Sequence, residues 1–421
     1  MYQNLNNSRV NLLKSYAFTY LSQGITVIIF LLTYYFLVKH CSPSEFEKFN
    51  LVKRVIPIFT VIISCGMGVG IPRLIANEIN INLDKISNAI SFNIAIVIVL
   101  SLLIVIPSFF FEDEIAEILW GTKNYAGLIF LTSLNITALS LFAIVYSIFR
   151  GLMFFRTASI FSILNVVFPI LGLFLFSNIY AYYLFSVIIN FLLFFFALLF
   201  LVRKKYYRLY FDFNKIFKDG FDLFKYSFQR VPGDFAYEAI ITLPIVFMAN
   251  YLGPSEASSF SFSINLVTLS TVLLAPISSV LLPYSSHLLS QNKNESLKRH
   301  INKIWIIVFG FLFIQLLVIQ LWGNYFVEKY FHEKENLSYY FSICSIIVIP
   351  SVIYHLVKSP IDSFYEKPII TYLNISCLLL FFILFFLMNI LGFGYKSEVA
   401  MLIVNILIAI LSYFFYLKIF K

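Results

Sequence analysis

Pro43-Ser44-Glu45, closed four residues later by Phe49, recurs as Pro254-Ser255-Glu256 closed by Phe260, a constant 211 residues on (254 against 43). Without gaps, the same offset lays Lys14 on Lys225, Phe36 on Phe247 and Pro72 on Pro283. The proline and Pro-Ser-Glu matches weigh most, because chance pairs are common in a chain rich in Phe, Leu, Ile and Tyr. A fainter trace lies further along. Tyr146-x-x-x-Arg150 and Tyr354-x-x-x-Lys358 precede the pairs Leu164-Asn165 and Leu373-Asn374, at an offset that drifts by two or three residues. The halves are copies of one unit.

That unit belongs in a membrane. Of 421 residues, 60% are apolar and 12% charged, with a mean hydropathy of +0.88, which leaves no room for an ordinary soluble domain. Apolar runs of membrane-crossing length occur about twelve times, at roughly 15–38, 50–72, 86–110, 125–149, 157–177, 180–202, 229–252, 260–286, 301–322, 338–357, 369–391 and 397–417. Backbone groups in lipid must be satisfied within their own segment, and these runs are too long for barrel strands, so the spans are helices. The expected fold is an all-α integral membrane protein with twelve transmembrane helices in two six-helix lobes. Residues 1–202 and 223–421 form the lobes, and a cytoplasmic linker over 203–222 begins with Arg203-Lys204-Lys205. An even span number per lobe makes the repeats parallel, related by a pseudo-two-fold axis along the membrane normal, with a cleft between them. The polar first 14 residues and a first apolar run without a small-residue cleavage site read as an uncleaved helix.

With both termini cytoplasmic, the outer loops carry Lys39, Lys48, Lys53, Arg54, Lys123, Lys329, Lys334 and Lys396, eight of the 30 basic residues, against 22 inside. The positive-inside rule therefore puts the termini in the cytoplasm. The net charge of +9 reads as this orientation signal plus attraction to anionic lipid, and no folded basic domain suggests nucleic acid. Cys41, Cys65, Cys344 and Cys377 contain no CxxC pair and read as small apolar residues. Histidines 40, 287, 300, 332 and 355 form no i, i+4 pair. There is no hydrolase triad, metal cluster or nucleotide loop, so no cofactor is expected and ATP-driven transport needs another subunit.

Charges inside spans are expensive and hence candidates for function. Lys53 and Arg54 lie in the outer quarter of the second span, before Pro57, which can bend the helix. Two readings stand: snorkelling to the headgroups, or an aqueous cavity in which at least Arg54 grips a phosphate bidentately. Neighbours on a helix point about 100° apart, so only one of the two faces such a cavity. Span seven opens Arg230-Val231-Pro232-Gly233-Asp234 and continues to Glu238, placing Arg230, Asp234 and Glu238 on one stripe. Arg230 with Asp234 reads either as a structural ion pair or as part of a site. Glu238, in apolar surroundings, is a candidate proton or ion carrier alongside Asp234. Arg73, Arg150 and Lys358 end spans two, four and ten at the cytoplasmic side, either as topology anchors or as a basic inner mouth for an anionic headgroup. The run Gly66-Met67-Gly68-Val69-Gly70-Ile71-Pro72 offers close helix approach or a hinge.

Pro72-Arg73 after a Gly-rich second span, Phe149-Arg150-Gly151 closing the fourth, Arg230-Val231-Pro232-Gly233-Asp234 opening the seventh and Tyr251-Leu252-Gly253-Pro254 closing it resemble the bacterial polysaccharide repeat-unit flippases. These are the Wzx-type O-antigen and capsule exporters of the MATE-like (multidrug/oligosaccharidyl-lipid/polysaccharide) superfamily. The resemblance covers essentially the whole chain. It implies a V-shaped pair of lobes in the bacterial inner membrane that moves undecaprenyl-pyrophosphate-linked oligosaccharide to the periplasmic leaflet by alternating access. The lipid tail stays in the bilayer while the cavity solvates the head. It implies H+ or Na+ coupling, and polymerase and chain-length proteins as partners in lipopolysaccharide or capsule assembly. Arg54 matches the second-span cavity arginine of the related peptidoglycan-precursor flippases. Spans one and eight lack the internal charges of those relatives, and the two extra C-terminal helices are absent, which argues against their substrate.

A drug or cation antiporter of the same superfamily is the nearest rival and would bind through Asp234 and Glu238. A polysaccharide polymerase would need a long catalytic outer loop, which the spacing of the spans does not provide. A facilitator-type carrier would need a charged Gly-Asp-Arg signature after span two, and none follows.

Overall fold

A computed structural model describes residues 8–78, 82–208, 213–272, 277, 281, 285, 294–330, 337–365, 367–392 and 397–419. These residues are helical almost throughout, with no strand among them. In chain order the helices are α1 (Ser8–His40), α2 (Pro43–Ile63), α3 (Met67–Glu78), α4 (Leu83–Phe110), α5 (Glu112–Trp120), α6 (Gly127–Gly151), α7 (Phe155–Phe176) and α8 (Ile179–Arg203). They continue with α9 (Phe213–Phe228), α10 (Val231–Tyr251), α11 (Pro254–Val272), α12 (Asn294–Tyr330), α13 (Leu337–Phe364), α14 (Ile369–Ile390) and α15 (Ser397–Lys418). Among the described residues nine helices are long and apolar enough to cross a membrane, or ten if α2 and the start of α3 form one broken span. Of span eight, expected to reach 286, only 277, 281 and 285 beyond Val272 are among the described residues; Pro283, His287, His332, Lys334 and Lys396 lie outside them.

The repeated motif is a helix start. Pro43 occupies the first turn of α2, where a missing N–H costs nothing, and Ser42 caps the helix by accepting from the Glu45 amide at 3.4 Å. Glu45 then accepts from the Ile179 amide at the head of α8, 2.8 Å away. In the second copy Pro254 opens α11, and Glu256 accepts from the Tyr340 hydroxyl at 2.8 Å, tying α11 to α13. Each copy therefore anchors its second helix through the same carboxylate.

Contacts divide the chain into two compact units, Met1–Glu238 and Ala239–Lys421. In the first, α6 is the central helix, packed on α2, α3, α4 and α8. Its buried face is polar as well as apolar. Ser133 accepts from Ser108 at 2.7 Å, and Asn135 from Ser186 at 2.9 Å. Such interhelical bonds contribute on average about 0.6 kcal/mol each in a membrane, where unfolded segments also find partners. In the second unit α13, the repeat counterpart of α6, packs on α11, α14 and α15. There Asn374 donates to the Tyr354 hydroxyl at 2.9 Å, and Phe247 stacks on Phe385 with centroids 4.6 Å apart.

Two stretches depart from the expectation. Span two is not one rod: α2 and Met67–Ile75 are bent by 46°. The break falls at Ser64-Cys65-Gly66 and not at Pro57, which stays inside α2. Cys65 and Gly66 take left-handed φ values of 50° and 71°, which no helix continues through. The segment read as a linker, 203–222, contains most of α9, which packs on α4 and α3. Gly220 allows this approach, since a Cβ there would collide with the Phe92 side chain. A short helix, α5, opens with Glu112, Asp113 and Glu114, charges that suit its positive N-terminus.

Gly70 faces Ser227 and Leu223 so closely that Gly70→Val is expected to cost about 1–3 kcal/mol. Gly24→Ala, where nothing lies within 4 Å, should be neutral or stabilising. Thermal unfolding of both purified variants in detergent checks the pair.

Candidate functional site

Small residues assemble positive charge at one end of the first unit. A Cβ at Gly66 would sit 2.5 Å from the Ser227 carbonyl oxygen, and one at Gly70 would collide with Ser227 Oγ, so the last turn of α9 lies directly on α3. Tyr226 is thereby set against Arg73, three residues beyond Gly70. Arg73 Nη1 donates to the Tyr226 hydroxyl, and its guanidinium carbon is 4.5 Å from the ring centroid. Arg230, in the turn between α9 and α10, lies 4.3 Å from the same centroid and donates through Nη1 to the Tyr226 carbonyl oxygen at 3.2 Å. One phenol ring thus holds two guanidiniums.

The two arginines differ in exposure. Arg73 is open to solvent, while Arg230 is buried, with an Nε that has no acceptor. No described carboxylate lies within ion-pair range of either. Packing brings the backbone of a third basic residue close to Arg73. Gly151 at the end of α6 seats against Pro72 and Ile75 of α3, so Arg150 and Arg73 flank that contact, one residue away on each chain segment. Two like charges on one ring, unmatched by acid, form a place where an anion with several oxygens lowers the energy.

The other candidates sort by their surroundings. Lys53 Nζ is 3.3 Å from the Phe30 centroid and 5.4 Å from those of Tyr34 and Phe49, caged by rings from α1 and α2. Its neighbour Arg54 is buried on α2, about 100° round the helix from it. Arg150 and Lys358, equivalent in the repeat, each lie 5.9 Å from the ring one turn earlier, Tyr146 and Tyr354. Asp234 and Glu238 are half-buried, one turn apart on α10. Lys358 belongs to the second unit. Tyr226 was not among the residues the sequence singled out. The signal was present, because Tyr226-x-x-x-Arg230 repeats the spacing of Tyr146-x-x-x-Arg150 and Tyr354-x-x-x-Lys358.

A family model described as polysaccharide biosynthesis protein matches residues 12–289. The chain belongs to that family. A model described as MatE matches residues 233–367. No curated protein matches the chain. Among solved structures, a MOP superfamily transporter from Pyrococcus furiosus Vc1 (DSM3638) superposes with a TM-score of 0.74 at 14% identity, over 96% of this chain and 95% of its own. An outward-facing multidrug resistance MATE family transporter gives 0.75 at 14% identity over 96% and 95%. An inward-facing one gives 0.73 at 12% over 93% and 94%. These likenesses establish the fold as that of the MATE-type transporters. The resemblance drawn from the Pro72-Arg73 and Arg230–Asp234 stretches holds at the level of the family. This member of the polysaccharide biosynthesis family is a multi-pass membrane transporter of a family that is not enzymatic.

A double-mutant cycle pairing Tyr226→Phe with Arg73→Gln should show a coupling of about 1 kcal/mol, the size of one hydrogen bond at a partly exposed site. Thermal stability in detergent provides the readout, and additive losses would mean that the hydroxyl contact is energetically idle.

Proposed function

We propose that the protein is a flippase that moves undecaprenyl-pyrophosphate-linked oligosaccharide repeat units from the cytoplasmic to the periplasmic leaflet of a bacterial inner membrane. The observation that carries this reading is the pair Arg73 and Arg230 on Tyr226, an arrangement matched to a pyrophosphate and mismatched to a cationic drug. Guanidinium binds phosphate oxygens in a planar fork that a lysine cannot reproduce. Arg54, Lys53, Arg150 and Lys358 supply further positive charge along the route, with Arg54 the residue turned away from the aromatic cage. Asp234 and Glu238, half-buried on α10, serve as the ion-coupling carboxylates, with H+ or Na+ as the driving ion. The repeats, 1–202 and 223–421 joined through 203–222, alternate access, and both termini are cytoplasmic. The cargo serves O-antigen, lipopolysaccharide or capsule assembly, and polymerase and chain-length proteins act downstream.

For the Pyrococcus transporter a binding pocket of reverse polarity is described as suggesting a different function, which is compatible with a cargo that varies among proteins of this fold.

The test is leaflet transfer of a labelled undecaprenyl-pyrophosphate oligosaccharide in proteoliposomes under an imposed pH gradient, with a cationic dye as control cargo. Transfer of the glycan lipid is expected. Dye movement alone would reassign the protein as an antiporter, and glycan chain growth would reassign it as a polymerase. Arg230→Gln and Arg54→Gln should each slow transfer at least about tenfold, the loss expected when a charge-assisted hydrogen bond to phosphate is removed. Unchanged transfer in either variant removes that residue from the site. Glu238→Gln should abolish the response to the pH gradient, and a full response would exclude it as the proton carrier.

A further inference from the structure

α9 has three faces with three different chemistries. It is 16 residues long, about 24 Å, and carries Lys215, Lys218, Asp219, Asp222 and Lys225, so it does not cross the hydrocarbon. One face is buried in the protein through Gly220, Leu223 and Ser227. About 90° round the helix runs a stripe of Phe213, Phe217, Phe221, Phe224 and Phe228, of which Phe213 is 81% and Phe217 61% exposed. Its rings stack along the helix, Phe217 on Phe221 at 5.7 Å and Phe224 on Phe228 at 5.1 Å. Beyond the stripe, roughly opposite the buried face, stand the exposed Lys215, Lys218 and Lys225.

Of the acids nearby, Asp222 stands exposed among the lysines and offsets one of their three charges, while Asp219 and Asp84 are engaged. Asp219 accepts from Asn88 at 2.8 Å, and Asp84 pairs with Arg208 at 3.1 Å. Residues 203–225 carry seven basic and three acidic side chains, a balance of +4 (7 less 3). A helix with a protein face, an exposed aromatic stripe and a lysine rim lies in the plane of a membrane surface, rings at the acyl boundary and ammoniums at the phosphates.

We propose that α9 is a docking site for anionic phospholipid headgroups in the leaflet on which it lies, with the Phe stripe seated in the acyl boundary and Lys215, Lys218 and Lys225 on the headgroup phosphates. Zwitterionic lipid satisfies the stripe but not the lysines, so the site discriminates by charge. This site is independent of the cargo.

The experiment is hydrogen–deuterium exchange of the full-length protein in phosphatidylcholine nanodiscs with and without phosphatidylglycerol. Exchange of the 213–228 amides should slow in the anionic discs, by up to about fivefold for each lysine engaged. The variant K215Q/K218Q/K225Q should lose that difference while the amides of α4 keep their protection. Equal exchange in the two lipids overturns the proposal, as does slowing that persists in the triple variant. Slowing spread evenly over all helices also overturns it, because that is an effect of the bilayer as a whole.

Discussion

The close approach of α9 to α3 is the contact on which the charged end of the first unit depends. It requires two positions without a side chain, Gly66 and Gly70, facing one serine. Any Cβ at either position meets Ser227 before the helices reach their present separation. Only at that separation can Tyr226 stand between Arg73 on one helix and Arg230 in the following turn. The left-handed break at Cys65-Gly66 gives α3 the angle it needs to receive α9. Backbone conformation, helix packing and electrostatics meet where the Cys65–Arg73 stretch receives Tyr226, Ser227 and Arg230.

Five of the candidate cations lie over aromatic rings. Lys53, Arg73, Arg150, Arg230 and Lys358 each lie over at least one ring, at centroid distances of 3.3 to 5.9 Å. A carboxylate would bind each more strongly in a low dielectric, but it would also cancel the charge. A ring face steadies a cation by its quadrupole and leaves the net charge in place. With 19% aromatic and 12% charged residues the chain has the means to do this throughout. The proposed anionic cargo would require such a preserved charge.

The duplication and the crossings were legible because both are written in long-range patterns: a fixed offset and runs of apolar residues. Pro43 and Pro254 mark the same helix start because the first turn is where proline costs a helix least. The break after Ile63 was legible only as one of two readings of the Gly66–Pro72 run, a hinge or a close helix approach, since a positive φ at Cys65 itself leaves no trace in an apolar window. α9 was hidden for a different reason. Its phenylalanines recur three or four apart, a helical spacing, but seven basic residues around them read as a connector. Of the site, Arg73 and Arg230 were visible as charges beside spans. Tyr226 was not, because its role depends on two arginines 157 positions apart (230 less 73) being brought to one ring.

The broken second crossing also bears on how the chain enters the bilayer. α3 holds 12 residues, about 18 Å, well short of a hydrocarbon core of about 30 Å. α2 carries Lys53 and Arg54, each unfavourable by roughly 3 kcal/mol near the middle of an inserting helix. Neither piece is a strong insertion signal alone. The ring cage from α1 forms early in synthesis, whereas α6 and α9 follow many residues later. The packing of this crossing is therefore completed only by helices synthesised after it, α6 and α9.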